Sequence, residues 1–215
     1  MVVAREMARP VNADAERTKR KILLSASRKF AERGFEGTSV RQIAAGAGVS
    51  LGMIRHYFGS KEGLYRACIA SAYEIYTRLA DQIQTGLDRG GAPAEVVAAA
   101  ARTGFQFALE NRPSFRLTLW TLMESETWRN DLGDAHMLPF VLDTARALAR
   151  MLEQPAGAVA MRVRTMIFLV VRFATADHNE IAYLLSDGNT RTRSTKRTLQ
   201  EVEEHLVDVA VRLFS

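Results

Sequence analysis

The sequence predicts an all-α protein, in which a long helix joins an N-terminal three-helix unit with a helix-turn-helix to a larger helical domain. Three observations favour this fold class. Apolar residues recur at helical spacing between Ser and Gly residues that start and end helices. The 215 residues include only five prolines, and the period-two alternation of strands is scarce. Near the C-terminus apolar residues step by three and four, as in helices that pack side by side.

Composition divides the chain into three parts. Residues 1–16 lack periodicity and predict a flexible arm, residues 17–66 form the predicted three-helix unit, and residues 67–215 form the larger domain. In the first helix, residues 17–34, the apolar side chains recur at near-helical spacing and predict a buried face. These side chains are Ile22, Leu23, Ala26, Phe30 and Ala31.

The stretch 38–64, TSVRQIAAGAGVSLGMIRHYFGSKEGL, predicts two short helices and the start of a third. Ser39 precedes Gln42 by three residues, which is the capping-box spacing. Gly46 and Gly48 bracket a sharp turn, where a backbone without Cβ can adopt positive φ. Ser50 then caps a helix that ends at Tyr57. This order of elements predicts a helix-turn-helix.

Ile54 is the apolar anchor of the second short helix, so the remaining side chains of that helix point elsewhere. They are Leu51, Gly52, Met53, Arg55 and His56. A further helix begins at Ser60, with Glu62 in its first turn, where the helix dipole favours a carboxylate.

Positive charge is concentrated at this end of the chain. Residues 1–66 contain 13 Lys/Arg and 6 Asp/Glu, a net charge of +7, whereas residues 67–215 have a net charge of −2. A basic surface alone is usually just solvated. Because it coincides with a helix-turn-helix, it favours double-stranded DNA as a partner.

The helix from Ser60 is predicted to run to about Leu87, and GGAP at 90–93 then breaks the chain. Further helices are predicted near 94–110, 114–124, 136–153, 157–185 and 196–214. Pro139 is assigned to a first helical turn, where its missing N–H does no harm.

Two of these helices have apolar seams. In helix 196–214 the seam is Leu199, Val202, Leu206, Val209 and Leu213. Helix 157–185 has two seams, one through Val163, Ile167 and Val170 and the other through Met166, Leu169 and Phe173. A helix that is apolar on two sides must be covered on two sides. We therefore predict a homodimer through helices 157–185 and 196–214, with a wholly internal helix as the alternative.

The middle helices are rich in large apolar side chains, with polar groups among them. Such a mixture suits a site for an apolar or aromatic small molecule, although these residues can equally fill a core. The predicted ligand-binding set is Phe105, Trp120, Met123, Glu124, Trp128, Met137, Phe140, Phe168 and Arg172, and Phe107, Phe115, Glu126 and His136 belong to the same group.

No constellation for catalysis, metal binding or cofactor binding is found. The histidines lack the i,i+4 pairing or cysteine partners of a metal site, and no phosphate-binding loop or nucleophile elbow occurs. Cys68 is the only cysteine, which favours a reducing compartment. The first sixteen residues lack the apolar core of a signal peptide, and the longest apolar run is too short for a membrane span. These features predict a non-enzymatic, cytoplasmic protein.

The stretch 38–64 resembles the DNA-binding domain of the TetR (tetracycline-repressor) family of bacterial regulators, and helix 17–34 resembles the first helix of that family. The matching residues are Thr38, Val40, Ile43, Ala44, Gly48, Val49, Ser50, Tyr57, Phe58, Ser60, Lys61, Glu62 and Leu64. One position departs from the pattern: Arg55 stands where the family often has an aromatic residue.

The resemblance implies a homodimeric repressor that an effector releases from a two-fold symmetric operator. Helix 50–57 would enter a major groove, with Ser39, Tyr57 and Lys61 on phosphates and Arg55 reading guanine. The full predicted DNA-binding set is Thr38, Ser39, Arg41, Ser50, Leu51, Gly52, Met53, Arg55, His56, Tyr57 and Lys61. The alternatives are a regulator without an effector, an activator, an enzyme that uses the aromatic cavity, and an architectural DNA binder.

Overall fold

The computed structural model describes residues 11–124, 126–186, 188 and 194–215, without the side chains of residues 11–13 and 121–136. The described residues form helices and no strands, which confirms the all-α fold class. The helices are α1 (Val11–Arg33), α2 (Val40–Ala47), α3 (Leu51–Phe58), α4 (Lys61–Asp88), α5 (Pro93–Glu110), α6 (Arg112–Glu124), α7 (Glu126–Leu152), α8 (Ala156–Thr175), α9 (His178–Leu184) and α10 (Thr195–Phe214). Contacts divide the chain into two compact units, Met1–Ala70 and Ser71–Ser215.

The first unit has a core built from one face of each of its helices. Ile22 and Phe30 of α1, Ile43 of α2 and Ile54 of α3 are at most 2% exposed. The ring of Phe30 meets Tyr65 of α4 edge-on, with 4.8 Å between centroids, a favoured aromatic geometry. This core holds α2 and α3 in place and leaves the opposite face of α3 to solvent.

Two helices begin earlier than the sequence predicts. Helix α1 starts at Val11, so residues 11–16 of the predicted arm are helical, while residues 1–10 lie outside the described residues. An i,i+3 ion pair between Glu16 and Lys19, 2.9 Å long, stabilises this first part of α1. Helix α7 starts at Glu126, and Pro139 therefore lies inside the helix and not in its first turn.

The prediction of one helix over 157–185 is wrong, because the chain breaks between α8 and α9. Ala176 is extended, with ψ of 156°, and the Asp177 carboxylate caps α9. It accepts hydrogen bonds from the backbone N–H of Asn179 at 2.7 Å and of Glu180 at 3.3 Å. A short carboxylate side chain competes in this way with the continuing helix.

The second unit buries part of each of the three predicted seams within a single chain. Leu206 of α10 is fully buried, and Val170 of α8 is 9% exposed, so these two residues belong to the core of the unit. The exposed apolar side chains of α8 are Met161, at 69%, and Phe168, at 48%. Met161 and Phe168 are thus the large apolar side chains of α8 that are most exposed. No helix in the described part of the chain combines the length and apolar character needed to span a bilayer.

Candidate nucleic-acid interface and apolar cavity

The two short helices α2 and α3 begin with the predicted caps. Ser39 Oγ accepts a hydrogen bond from Gln42 N at 3.3 Å, and Ser39 N donates to Gln42 Oε1 at 3.2 Å. Ser50 Oγ accepts from Met53 N at 3.3 Å. Because both hydroxyl oxygens act as acceptors here, their protons remain free to be donated to a phosphate oxygen.

The two glycines between α2 and α3 have different roles. Gly48 adopts φ of 65°, and the Val49 N–H donates to Ala44 O at 3.1 Å, which closes the end of α2. Gly46 lies inside α2 without positive φ. A Cβ at Gly46 would lie 2.6 Å from Ser25 Oγ of α1, so this glycine allows the close approach of two helices.

The outer face of α3 is formed by side chains without a role in the core. Arg55 and His56 are exposed, Leu51 is 45% exposed, and Met53 and Tyr57 are half-buried. At Gly52 an added Cβ would touch only Ser50 Oγ, at 3.7 Å. The fold therefore does not require this glycine, and its bare backbone suits close approach to a groove.

Thr38, a predicted DNA-binding residue, requires a correction, because the structure buries its side chain inside the first unit. It is 2% exposed. Its Oγ1 lies 2.8 Å from Gly34 O and 3.0 Å from Lys29 O, to which the hydroxyl donates. The side chain thus ties the chain before α2 to the end of α1.

Two lysines lie over aromatic rings beside α3. Lys61 Nζ is 4.3 Å from the centroid of Phe35, and Lys19 Nζ is 5.9 Å from that of Tyr57. The cation–π contact of Lys61 holds its flexible ammonium group in place, and the Lys19 ammonium is also paired with the Glu16 carboxylate, at 2.9 Å. Arg41 of α2 is exposed. The cations near α3 are thus suited to phosphate.

The first turn of α4 also contains a carboxylate, that of Glu62. A hydrogen bond with the Ser60 side chain lowers the pKa of Glu62, and the helix backbone and Lys61 add to this effect. Ser60 Oγ also accepts from Gly63 N at 3.1 Å. Glu62 is therefore ionised at neutral pH and stabilises the start of the helix.

The second unit contains an apolar cavity of about 90 Å³. It lies between α4, α5, α6, α7, α8 and α10, and its residues are nearly all apolar. They include Tyr76, Leu79, Ile83, Val97, Ala101, Gly104, Phe115, Phe140, Leu148, Val163, Met166, Val170 and Phe214.

The hydroxyl of Tyr76 is a polar group at this cavity, and it is already paired. Thr118 Oγ1 donates to Phe115 O at 2.9 Å, so Tyr76 donates to Thr118 Oγ1, 3.2 Å away. Burial raises the pKa of Tyr76, which keeps the phenol neutral. The cavity can therefore accept an apolar group without leaving a buried polar atom unpaired.

Few of the predicted ligand-binding residues line this cavity. Phe140 does, as does Phe115 of the wider aromatic group, whereas Phe105, Trp120 and Met137 lie elsewhere in the second unit. The side chains of Met123, Glu124 and Trp128, and those of Glu126 and His136, lie outside the described residues.

Phe168 and Arg172 also lie away from the cavity. Phe168 is half exposed beneath the Arg164 guanidinium, 5.2 Å from the ring centroid, and Arg172 pairs with Glu180 at 2.6 Å. Sequence reasoning missed the lining from α8, because Val163, Met166 and Val170 were assigned to apolar seams, and it missed Ala210 and Phe214 of α10, which lie outside the predicted seam of that helix. It also missed Gly104, although a glycine inside an otherwise apolar helix can indicate free space beside that helix.

Among the side chains that the structure describes, no group of three His, Cys, Asp or Glu is arranged to hold a metal ion.

Comparison with known proteins identifies relatives of the first unit. Residues 22–68 match the profile of a family described as "Bacterial regulatory proteins, tetR family", which confirms the predicted resemblance. The repressor AcnR of Corynebacterium efficiens is 41% identical over 75 residues, 35% of this chain and 36% of AcnR. The chain spans about a third to about half of the length of the first curated relatives it matches.

Solved structures are similar over most of the chain. FadR from Bacillus subtilis, in complex with stearoyl-CoA, has a TM-score of 0.60 at 18% identity and matches over 87% of this chain and 97% of its own. AibR, in complex with isovaleryl coenzyme A and operator DNA, has a TM-score of 0.61 at 19% identity, over 89% and 97%. At such identities the likeness is one of fold.

Proposed function

We propose that this chain, whose residues 22–68 match the profile of the TetR family of bacterial regulatory proteins, is a homodimeric transcriptional repressor that a small apolar or aromatic effector releases from operator DNA. The observation that supports this most directly is α3, a capped helix with a solvent-exposed outer face that includes Arg55. We further propose a cytoplasmic location, since the bacterial chromosome lies there.

In this proposal α3 enters a major groove, with Gly52, Arg55 and His56 towards the bases. The guanidinium of Arg55 can donate two hydrogen bonds to O6 and N7 of one guanine. The hydroxyls of Ser39 and Ser50 and the ammonium groups of Lys19 and Lys61 would bind phosphates. These phosphate contacts set the register of α3 on the duplex and do not read sequence.

A second copy of the chain would supply the second half-site. Met161 and Phe168 leave an apolar strip on α8 that its own protomer does not cover. Two such strips, related by a two-fold axis, would bury each other, as in an isologous dimer. The operator would then have two-fold symmetry, because each half-site mirrors one subunit.

The effector would act through α4. Tyr76, Leu79 and Ile83 of this helix line the apolar cavity, while Leu64 and Tyr65, near its start, are fully buried in the first unit. A ligand that displaces the cavity side of α4 would therefore strain the helix on which the first unit is built. Ligand and DNA would then weaken each other's binding reciprocally.

The free space in the second unit favours an effector over effector-independent regulation, since a cavity filled by its own side chains would leave nothing to bind. FadR and AibR are each solved with an acyl-coenzyme A, which supports an effector with an apolar group here. Activation by the same fold remains the alternative to repression. AcnR, one of the relatives of this chain, is named a repressor, which supports repression here.

Selection of binding sites from random DNA by the full-length protein tests the proposal. We expect a palindromic motif with one G·C pair at the same position in each half-site. Addition of a bound apolar ligand should lower the affinity for that motif. Equal affinity for the selected and for random DNA would contradict the proposal and would favour an architectural DNA binder.

A further inference from the structure

A groove on the surface of the second unit shares part of its wall with the apolar cavity. The groove has a volume of about 440 Å³, against about 90 Å³ for the cavity. Val97 of α5 and Phe214 of α10 line both spaces, and each is 4% exposed. These two side chains thus form the partition between an inner apolar space and an outer, partly polar one.

The groove continues the cavity towards the start of α5 and the end of α7. On α5 the cavity includes Val97 and the groove also includes Ala94, three residues earlier. On α7 the cavity includes Leu148 and the groove includes Met151 and Leu152, one turn later. An elongated ligand that passes the partition would therefore lie along these helices in both spaces.

We propose that the cavity and the groove form one site for an amphiphile, whose aliphatic tail ends against the bare backbone of Gly104 and whose polar head lies in the groove beyond Val97 and Phe214. The proposal rests on the proposed function, because it names the chemical class of the effector. It makes Gly104 the residue that sets how long a tail the site accepts.

Gly104 supports this assignment because the fold gives it no other role. It lies inside α5, where glycine is less favourable than alanine, and its φ is not in the positive range. A Cβ built on Gly104 meets no other heavy atom within 4 Å. Since Gly104 also lines the cavity, the missing methyl group is part of the free space.

The size and polarity of the cavity define the tail. Val97 and Gly104 both line the cavity and are seven residues apart on α5, so a tail that passes Val97 and ends at Gly104 spans about 10 Å, the length of roughly eight carbon atoms. The Tyr76 hydroxyl is paired with Thr118 and offers no free partner to a polar group. A branched or linear alkyl group fits these conditions, and a polar ring does not.

The groove provides the polar partners that the cavity lacks. It includes Glu153, which is exposed, and Gln154, whose Oε1 accepts a hydrogen bond from Arg162. The first turn of α5 also faces it, and Ala92, the residue before that helix, provides no side-chain cap. A head group with hydrogen-bond donors and acceptors can bind there. The experiment below compares neutral, cationic and anionic head groups.

Binding of 1-alkanols, 1-aminoalkanes and alkanoates with two to ten carbons, measured by calorimetry on the full-length protein, tests the proposal. We expect the affinity to rise about fourfold for each methylene group that enters the cavity. It should stop rising once the tail reaches Gly104, at about eight carbons. The relative affinities of the three series at equal tail length then identify the preferred head group. Glu153→Gln should change these relative affinities but not the tail length at which affinity stops rising.

Gly104→Ala should move the plateau to a tail shorter by one carbon and weaken the previously best ligand about fourfold. Gly86→Ala is the matched control: Gly86 lies in helix α4 of the same unit, a Cβ there also meets nothing within 4 Å, and it does not line the cavity. Both variants should melt no lower than the parent, which separates loss of space from loss of folding.

Equal tail-length profiles for the two alanine variants would overturn the proposal, as would the absence of binding by every series. Operator selection is measured independently, so a protein that selects a palindrome yet binds no amphiphile refutes only the amphiphile site. A protein that binds the series yet selects no DNA refutes only the proposed function.

Discussion

Arg55 owes its proposed role to its place on α3. Ile54 beside it is 2% exposed and anchors the helix in the core, so the next residue turns outwards, and Arg55 is exposed. Thr38 illustrates the opposite case, because a residue that matches the family pattern is buried and hydrogen-bonded to Gly34 and Lys29. A match to a motif therefore does not separate contact residues from structural ones.

Arg55→Ala should cost about 1–3 kcal/mol per half-site on the selected operator and relax the preference for G·C at one position. Arg55→Lys should restore charge but only part of the specificity, because an ammonium lacks the planar fork. The measurement is a binding series on operators mutated one base pair at a time.

Arg28→Ala is the matched control, since it removes the same charge from the exposed face of α1 and should change no base preference. If Arg55→Ala weakened all operators equally, Arg55 would be a phosphate contact and not a base contact.

Cys68 is expected to be inert. Burial raises the pKa of its thiol from 9.0 to about 12, so almost no thiolate forms at neutral pH. Native protein at pH 8 should resist thiol-specific reagents, and unfolded protein should react at once. Rapid labelling of the native state would contradict the buried placement.

The raised pKa of Cys68 also makes the free energy of unfolding depend on pH. The folded pKa lies above the ordinary value, so this contribution to stability is complete below pH 9.0 and is lost as the pH rises towards 12. Cys68→Ala should therefore flatten the fall in the free energy of unfolding over that range, as measured by urea titration.

At the scale of elements, the turn between α2 and α3 depends on two glycines for different reasons. Gly48 has positive φ, and a Cβ there would meet nothing within 4 Å, whereas Gly46 has no room because Ser25 Oγ lies 2.6 Å from its added Cβ. The first is a requirement of the backbone and the second a requirement of helix packing.

Gly48→Ala should destabilise the protein by about 1 kcal/mol, because an L residue is strained in the left-handed region. Gly46→Ala should also destabilise, and Ser25→Ala should reduce that loss by removing the clashing hydroxyl. Ser25→Ala should leave the Gly48→Ala effect unchanged. Thermal unfolding of the five variants measures both effects, and equal rescue of the two glycine variants by Ser25→Ala would contradict the distinction.

At the scale of the whole molecule, the proposed dimer depends on which apolar residues the protomer leaves uncovered. The seams indicate that α8 and α10 pack closely, but they do not show on which side. Val170 and Leu206 lie in the core of the second unit, and Met161 and Phe168 lie outside it. A test of assembly must therefore use the second pair.

Phe168→Asp should give a folded monomer, because it places a charge in the proposed subunit interface, where it would be buried without a partner. Sedimentation at micromolar concentration measures the mass, and circular dichroism measures the fold. Leu142→Asp on α7 is the control, since Leu142 is 44% exposed and should leave a dimer. Val170→Asp should instead unfold the protein. A monomeric parent would refute the proposed dimer.

The sequence by itself determined the local structure of the first unit. The caps at Ser39 and Ser50, the turn at Gly48 and the anchor at Ile54 depend on neighbours within a few residues, and their signals are short in range. For the same reason it predicted the fold class, the approximate helices and the exposed position of Arg55.

Only the tertiary structure decided what long-range packing controls. It separated α8 from α9 at Asp177, moved Val170 and Leu206 from a predicted seam into a core, and buried Thr38. It also placed the free space beside Gly104 and not beside Trp120. Periodicity shows that a helix face is apolar, but the distance to the facing helix determines whether that face meets a core, a cavity or another molecule.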